Sequence, residues 1–195
     1  MEEDLAYEYD PRLDWRQEMI DGKIRMMAPA SSHHNVIAGN IHGLLWSFLR
    51  GKPCQAFVEG PAVHLTEKNY FVPDVSVVCD HEKLKGGKVY GAPDLVVEVL
   101  SPSTARYDRG RKMEIYEESG VREYWMVEPQ GRSIEQYVLE EGRFRFRTVC
   151  TLVSPERLSW LDPEERERIQ TEFSCAVFPE LTIRVDEVFE NLILE

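Results

Sequence analysis

A carboxylate inside an apolar run is the strongest constraint on what this chain can fold into. Residues Leu95 to Leu100 are leucine and valine apart from Glu98, and this composition predicts a buried strand. An ionised glutamate among such neighbours is costly unless it pairs with a cation or binds a metal. Glu98 is therefore the first candidate for a functional residue.

Two Pro-Asp pairs stand in front of apolar segments that are predicted to be strands. Asp74 precedes the run from Val75 to Cys79, and Asp94 precedes the run that contains Glu98. Side chains alternate along a strand, so Asp94 and Glu98 point to the same face. If the two strands pair, the three carboxylates converge, and their oxygens suit Mg²⁺ or Mn²⁺. We therefore predict a Mg²⁺ or Mn²⁺ site formed by Asp74, Asp94 and Glu98.

A basic cluster follows in a segment that is predicted to form a helix from about Asp108 onward. Lys112 and Tyr116 lie four and eight residues after Asp108, so all three share one helix face. A lysine in this position can orient an attacking water or stabilise transition-state charge. We predict this role for Lys112, and we predict substrate contacts for Arg106, Arg109 and Tyr116.

Each of these signals also has a purely structural interpretation. A Pro-Asp pair commonly opens a turn. Glu98 could form a simple salt bridge with Lys112, and the basic cluster could be a solvated helix face. His33 and His34 stand at the start of a predicted helix, where a histidine can serve only as a cap or hydrogen-bond partner. It is the combination of the carboxylates with the basic cluster that favours a metal site.

The remaining pattern predicts an α+β (mixed α/β) fold. A long helix is predicted from Ser31 or Ser32 to a stop at Gly51, followed by a strand-rich centre with a loop at 80–91. Other elements are predicted after the basic helix: a strand at 123–128, a hairpin at 133–150, a last strand at 181–185 and a terminal helix at 188–194. We predict one domain, 1–195, with an exposed helical excursion at 154–172.

Charge and cysteine content limit the classes of function. The formal net charge is −12, which is unusual for a protein that binds phosphates through lysine and arginine. The four cysteines form no Cys-x-x-Cys pair, so we expect no zinc site and unpaired cysteines in a reducing cytoplasm, with a disulfide as the alternative. The acidic start Met1-Glu2-Glu3-Asp4 predicts no signal peptide. No apolar run approaches the ~20 residues of a membrane span, so no membrane partner is expected.

The central motifs resemble the Uma-type family of bacterial restriction-endonuclease-like proteins. The match covers most of the chain, from about Ile20 to Leu194. Four segments carry the resemblance: Ile20–Ile24 with Pro73–Val78 (IDGKI and PDVSVV), Gly91–Thr104 (GAPDLVVEVLSPST), Asp108–Tyr116 (DRGRKMEIY) and Gly120–Pro129 (GVREYWMVEP). That family is placed in the PD-(D/E)XK nuclease superfamily. The resemblance implies a restriction-endonuclease-like core, in which a central mixed β-sheet is flanked by helices, a Mg²⁺-dependent phosphodiesterase site and a homodimer.

The resemblance also implies roles for individual residues. Asp74 matches the first acidic motif, and Asp94 and Glu98 match the acidic pair of the second strand. Glu18 and His34 match weaker positions, at which a polar side chain supports the site without binding the metal. The superfamily lysine two residues after the glutamate is replaced by Leu100, and Lys112 looks like its migrated counterpart.

Three hypotheses of function follow. The first is an endonuclease that hydrolyses phosphodiesters of nucleic acid, of DNA as the resemblance implies, with a bound Mg²⁺ or Mn²⁺. The second is an inactive binding module that keeps the nuclease fold, which the acidity and the absent strand lysine favour. The third is a structural subunit that dimerises through the exposed hairpin. Intact carboxylates favour the first hypothesis, because an inactive site has no need of buried charge.

Overall fold

The computed structural model describes residues 17–102 and 104–192. One six-stranded sheet contains β1 (Gln17–Ile20), β2 (Lys23–Met26), β4 (Val63–Thr66), β5 (Asn69–Phe71), β7 (Leu84–Lys85) and β8 (Lys88–Tyr90). Its strand order is β2-β1-β5-β4-β8-β7, and only the β4–β8 pair is parallel. Asp21 and Gly22 join β1 to β2 with positive φ at both positions, as a two-residue hairpin turn requires.

A second six-stranded sheet carries the apolar runs found in the sequence. It contains β3 (Gln55–Val58), β6 (Val75–Val78), β9 (Leu95–Val99), β10 (Glu123–Glu128), β11 (Ser133–Glu140) and β12 (Arg143–Thr151). The order is β12-β11-β10-β9-β6-β3, with β9 and β10 parallel and the other pairs antiparallel. This mixed sheet with its helices confirms the predicted fold class.

Helices cover the two faces of the second sheet. The helix α1 (Ser32–Leu49) begins where the Ser31 side chain accepts a hydrogen bond from the backbone N–H of His34, and its buried face packs against odd-numbered residues of β9 such as Val97. The helices α2 (Ala105–Asp108) and α3 (Arg111–Ser119) follow β9. Ile115 of α3 packs on the opposite face, in one cluster with Val96. Glu98 is even-numbered, so the pleat points it toward α3.

The segments after the hairpin are α4 (Pro155–Trp160), α5 (Pro163–Glu167), the paired strands β13 (Glu172–Ser174) and β14 (Thr182–Arg184), and α6 (Val185–Val188). The two strands and α6 contribute Phe173, Ile183 and Val188 to the same core cluster as α1. The prediction of a terminal helix at 188–194 is wrong, because the helix starts directly after β14 and has ended before Asn191, which has positive φ; residues 193–195 lie outside the described part. Within that part, no helix is long and apolar enough to cross a membrane.

Two further predictions need correction. The segment 80–91, which is predicted as a loop, contains the β7–β8 hairpin around Gly86 and Gly87, both with positive φ. The cysteines are not all unpaired, because Cys54 and Cys79 form a disulfide. They flank the paired residues Gln55 and Val78 at the end of the β3–β6 ladder. Cys150 and Cys175 are buried free thiols.

Candidate active site

Two of the three predicted carboxylates meet at one end of the β6–β9 pair. Val75 lies opposite Val97 in this antiparallel ladder, so Asp74 faces Glu98 one step further along. The backbone N–H of Val99 donates a 2.6 Å hydrogen bond to Asp74 Oδ2. Asp74 and Glu98 line the same cavity. Strand register alone therefore brings these two carboxylates together.

The ammonium of Lys112 lies among three buried or nearly buried carboxylates. Its Nζ is 2.9 Å from Glu98 Oε1, 3.0 Å from Glu18 Oε1 and 3.3 Å from Asp108 Oδ1. Asp108 is the last residue of α2 and stands four residues before Lys112 of α3, whereas Glu18 comes from β1 of the other sheet. One cation thus joins both sheets and the α2–α3 segment, and we call Glu18, Glu98, Asp108 and Lys112 the charged cluster.

Burial and neighbouring charges shift the pKa values of Glu98 and Lys112. Burial raises the pKa of Glu98 well above its ordinary value, and the negative charges of Asp74 and Asp108 act in the same direction against Lys112. Burial lowers the pKa of Lys112, but the nearby carboxylates, led by Glu18, outweigh it and raise that pKa. Lys112 therefore stays protonated and acts as a fixed cation.

The Tyr116 side chain on α3 positions Glu98 through a hydrogen bond. Its hydroxyl donates a 2.9 Å hydrogen bond to Glu98 Oε1, the same oxygen that contacts Lys112. Tyr116 is fully buried, with its ring edge against Phe71. The prediction that Tyr116 contacts the substrate is therefore wrong, because the helix face it shares with Lys112 points into the core.

Glu18 and His34 both lie at the cavity, where the resemblance placed them as supporting residues. Glu18 Oε1 accepts a hydrogen bond from the Val72 N–H in addition to its contact with Lys112. His34 Nε2 is 3.1 Å from Asp74 Oδ2. Burial lowers the pKa of His34, but the hydrogen bond and charge of Asp74 outweigh burial and raise it.

Asp94 lies away from this site. Its Oδ2 accepts a hydrogen bond from the Cys79 N–H at 2.8 Å, and its Oδ1 is 3.1 Å from an Arg122 guanidinium nitrogen. It is absent from the described residues that line the cavity. The predicted convergence of three carboxylates is therefore wrong. Asp94 and Glu98 share a face, but four residues of extended strand separate them by about 13 Å.

The two arginines predicted to contact the substrate do not line the cavity either. Arg109 forms an ion pair with Glu135 at 2.8 Å. Arg106 is exposed on α2, directly after the cavity residues Thr104 and Ala105. Of the basic residues predicted to act at the site, only Lys112 therefore lines the cavity.

The cavity has a volume of about 960 Å³, and three segments of the chain contribute most of its lining. These segments are 26–31 from the end of β2 to α1, 99–102 with 104–105 from the end of β9, and 128–130 from the end of β10. Among the described residues, its lining holds six carboxylates, and Lys112 is its sole lysine or arginine. The acidic side chains are Glu18, Glu59, Asp74, Glu98, Asp108 and Glu128.

Comparison with known proteins adds the family. A family model described as "Uma2: Putative restriction endonuclease" matches residues 1–184. The chain belongs to the Uma2 family. Two uncharacterized proteins of Synechocystis sp. are similar to this Uma2 chain. The protein slr1290 is 34% identical over 132 residues, which are 67% of this chain and 70% of that protein. The protein sll1609 is 29% identical over 126 residues, which are 63% of this chain and 71% of that protein.

A solved structure shares the fold of this Uma2 chain. It is the crystal structure of a "putative nuclease belonging to DUF820" from Anabaena variabilis, which superimposes with a TM-score of 0.64 over 89% of each chain at 19% sequence identity. At that identity the likeness establishes the fold. Family membership supports the nuclease class of function that the sequence predicts.

Asp74 and Glu98 fit the metal that nucleases of this fold imply. Their carboxylate oxygens are hard ligands, and Mg²⁺ is commonly held by one or two carboxylates plus substrate phosphate. Within the described residues, no group of three or more histidine, cysteine or acidic side chains is arranged to hold a metal. The fit is therefore to a two-carboxylate site that substrate completes.

The sequence did not assign a role to some residues that the Uma2 site contains. Asp108 is buried beside Lys112, and its i, i+4 spacing was the signal that could have identified it. Glu59 and Glu128 line the cavity from the ends of β3 and β10. No local pattern marks those two, because only the assembled sheets bring them to the cavity.

Proposed function

We propose that this protein hydrolyses phosphodiester bonds of nucleic acid with Mg²⁺ or Mn²⁺ held by Asp74 and Glu98. The observation that carries the proposal is the pairing of these two carboxylates on adjacent strands, with the buried ammonium of Lys112 2.9 Å from Glu98. Family membership and fold support the same class of chemistry. Following the family resemblance, we also propose DNA as substrate and a homodimer, and we propose the cytoplasmic location that the cysteine spacing predicts.

Each residue of the site has a separate role in the proposed reaction. A bound divalent cation supplies charge neutralisation and an activated water. Asp74 is oriented by the Val99 N–H, and Glu98 by the Tyr116 hydroxyl. Lys112 contributes a permanent positive charge beside the position where negative charge develops on the phosphate, which is electrostatic stabilisation of the transition state. Its raised pKa excludes it as a general base near neutral pH.

A binding module without turnover is the second candidate. The observation that favours it is the neutralisation of Lys112, since three carboxylates already surround this cation. In that function the charged cluster would be a structural connection between the two sheets. The two candidates differ in turnover and in whether Asp74 and Glu98 bind metal.

The test measures cleavage and metal binding in the same set of variants. Wild type, Glu98→Gln, Asp74→Asn and Asp94→Asn are incubated with Mn²⁺ and labelled DNA and RNA at low salt, and Mn²⁺ affinity is measured by titration calorimetry. We expect wild type and Asp94→Asn to cleave and bind Mn²⁺, and the other two variants to lose both. Asp94→Asn is the matched control, because it removes a carboxylate from the same face of β9 outside the site.

Two outcomes would contradict the proposal. Unchanged Mn²⁺ affinity in Glu98→Gln and Asp74→Asn would remove the metal assignment. Folded wild type that binds Mn²⁺ and nucleic acid but cleaves neither DNA nor RNA would establish the binding module instead.

A further inference from the structure

We propose that the cavity admits an unpaired polynucleotide strand and excludes a duplex. This inference rests on the proposed function and names the substrate class of the same site. Three properties of the described residues carry it: the depth of the carboxylates, the chemistry of the cavity rim and the sign of its charge.

The reactive side chains in the cavity are nearly buried. The side chain of Asp74 is 13% exposed, that of Glu98 4% and that of Lys112 5%. They share the cavity lining with the three segments described above. The backbone of a duplex lies on the outside of a wide, stiff rod, so a duplex does not bring a phosphate against side chains that are so little exposed. A single strand bends on the scale of one nucleotide and can place one phosphate inside.

The rim of the cavity is apolar and suits bases. Met26 is 46% exposed, and Met27, Pro29, Pro102 and Pro129 complete the apolar part of the lining. Such side chains can contact the faces of nucleobases but offer phosphates neither a positive charge nor a hydrogen-bond donor. In a duplex those faces are stacked in the interior, whereas unpaired bases present them to a protein. The rim therefore favours a strand whose bases are free.

The negative charge of the cavity also favours a single strand over a duplex. Six carboxylates line it against one lysine, and that lysine is already surrounded by acidic side chains. Duplex DNA carries one negative charge per about 1.7 Å of its axis, and a single strand has a lower charge density. Proteins that bind duplexes tightly neutralise many phosphates with lysine and arginine. The described lining therefore repels the duplex more strongly than a single strand, and Lys112 is the one lysine or arginine among those residues.

The test compares matched substrates of identical sequence under the Mn²⁺ conditions above. They are a single strand, a blunt duplex and a duplex with a central unpaired bubble, each prepared as DNA and as RNA. We expect the single strand to be cleaved at least about tenfold faster than the duplex, a difference of about 1.4 kcal/mol in barrier, and cleavage of the third substrate to be confined to its bubble. The DNA and RNA arms identify which polynucleotide is preferred.

A rim variant tests the contact directly. Met26→Glu places a negative charge on the rim and should raise KM for the single strand severalfold with unchanged Mn²⁺ affinity. Val149→Glu is the matched control, since Val149 is 42% exposed on β12 and is not among the cavity residues. Duplex cleavage as fast as single-strand cleavage, or equal KM for the two variants, would overturn the inference and leave the nuclease proposal intact. Cleavage of no substrate would overturn both.

Discussion

Replacing Lys112 with methionine perturbs the charged cluster most directly. Methionine keeps the length and much of the volume of the side chain but removes the ammonium from Glu18, Glu98 and Asp108, of which the last two are at most 3% exposed. Removing one partner of a buried ion pair costs about 3 to 5 kcal/mol. We expect a loss of about 3 kcal/mol in the free energy of unfolding at neutral pH, because a buried carboxylate can bind a proton and relieve part of the penalty.

The loss should depend on pH in a defined direction. The pKa of Glu98 is raised by burial and by its acidic neighbours, and Lys112 opposes that rise. A carboxyl with a raised folded-state pKa stabilises the fold fully below its unfolded pKa of about 4.3, and this stabilisation is lost as pH rises through the folded pKa. Without Lys112 the folded-state pKa rises further. The gap between wild type and Lys112→Met should therefore widen from about pH 5 to pH 8.

Urea unfolding followed by tryptophan fluorescence, in EDTA at pH 5 and pH 8, measures this gap. A loss of about 3 kcal/mol corresponds to a fall of about 6 to 12 °C in Tm for a chain of this size. Lys68→Met is the matched control, because Lys68 is exposed, and it should stay within about 0.5 kcal/mol of wild type. A loss below about 1 kcal/mol at pH 8, or the same loss at both pH values, would refute the reasoning about buried charge.

Three further predictions follow from single contacts. Tyr116→Phe removes the hydrogen bond to Glu98 and should cost about 1 to 2 kcal/mol of stability and lower kcat with unchanged KM; a changed KM would mean that Tyr116 touches substrate. Cys79→Ser opens a disulfide with a sequence separation of 25 and should cost about 3.5 kcal/mol without reductant, whereas an equal cost with reductant would argue against the bond. His34→Gln removes the contact with Asp74. The raised His34 pKa stabilises the fold below about pH 6.5, and this stabilisation is lost as pH rises through the folded pKa. In thermal melts with EDTA the variant should therefore lose more stability at pH 6 than at pH 8.5, and the reverse order would contradict the pairing.

The long, strongly patterned elements of the fold were predictable from the sequence. The apolar β-branched runs became β6 and β9, and the turn at Glu141-Gly142 has the positive φ angles of a tight hairpin. The strand β5 and the β7–β8 hairpin are two or three residues long. Such strands are stabilised by their neighbours in the sheet, so no local periodicity marks them. The Cys54–Cys79 bond depends likewise on which strands pair, a property that cysteine spacing does not contain.

The candidate site was likewise predictable from the sequence only in part. Glu98 could be found because burial of its carboxylate requires a partner, and Lys112 because it is one helical turn from Asp108. The prediction for Asp94 used the correct face of the strand but neglected distance along it. The prediction for Tyr116 used the correct helix face but not its direction, which depends on the packing of α3 against Phe71 and Tyr124.

Because α3 supplies the positive charge, the position that directly follows β9 does not need a lysine. Leu100, two residues after Glu98, is 4% exposed and packs in one apolar cluster with Ile115 and Tyr116. Selection can therefore act on the strand for packing and on the helix for charge. Exchange of the whole charged cluster for apolar side chains of similar volume would be close to neutral for stability. Descendants of one ancestor could then gain or lose turnover on an unchanged backbone, and a few side chains would distinguish an enzyme from its inactive sibling.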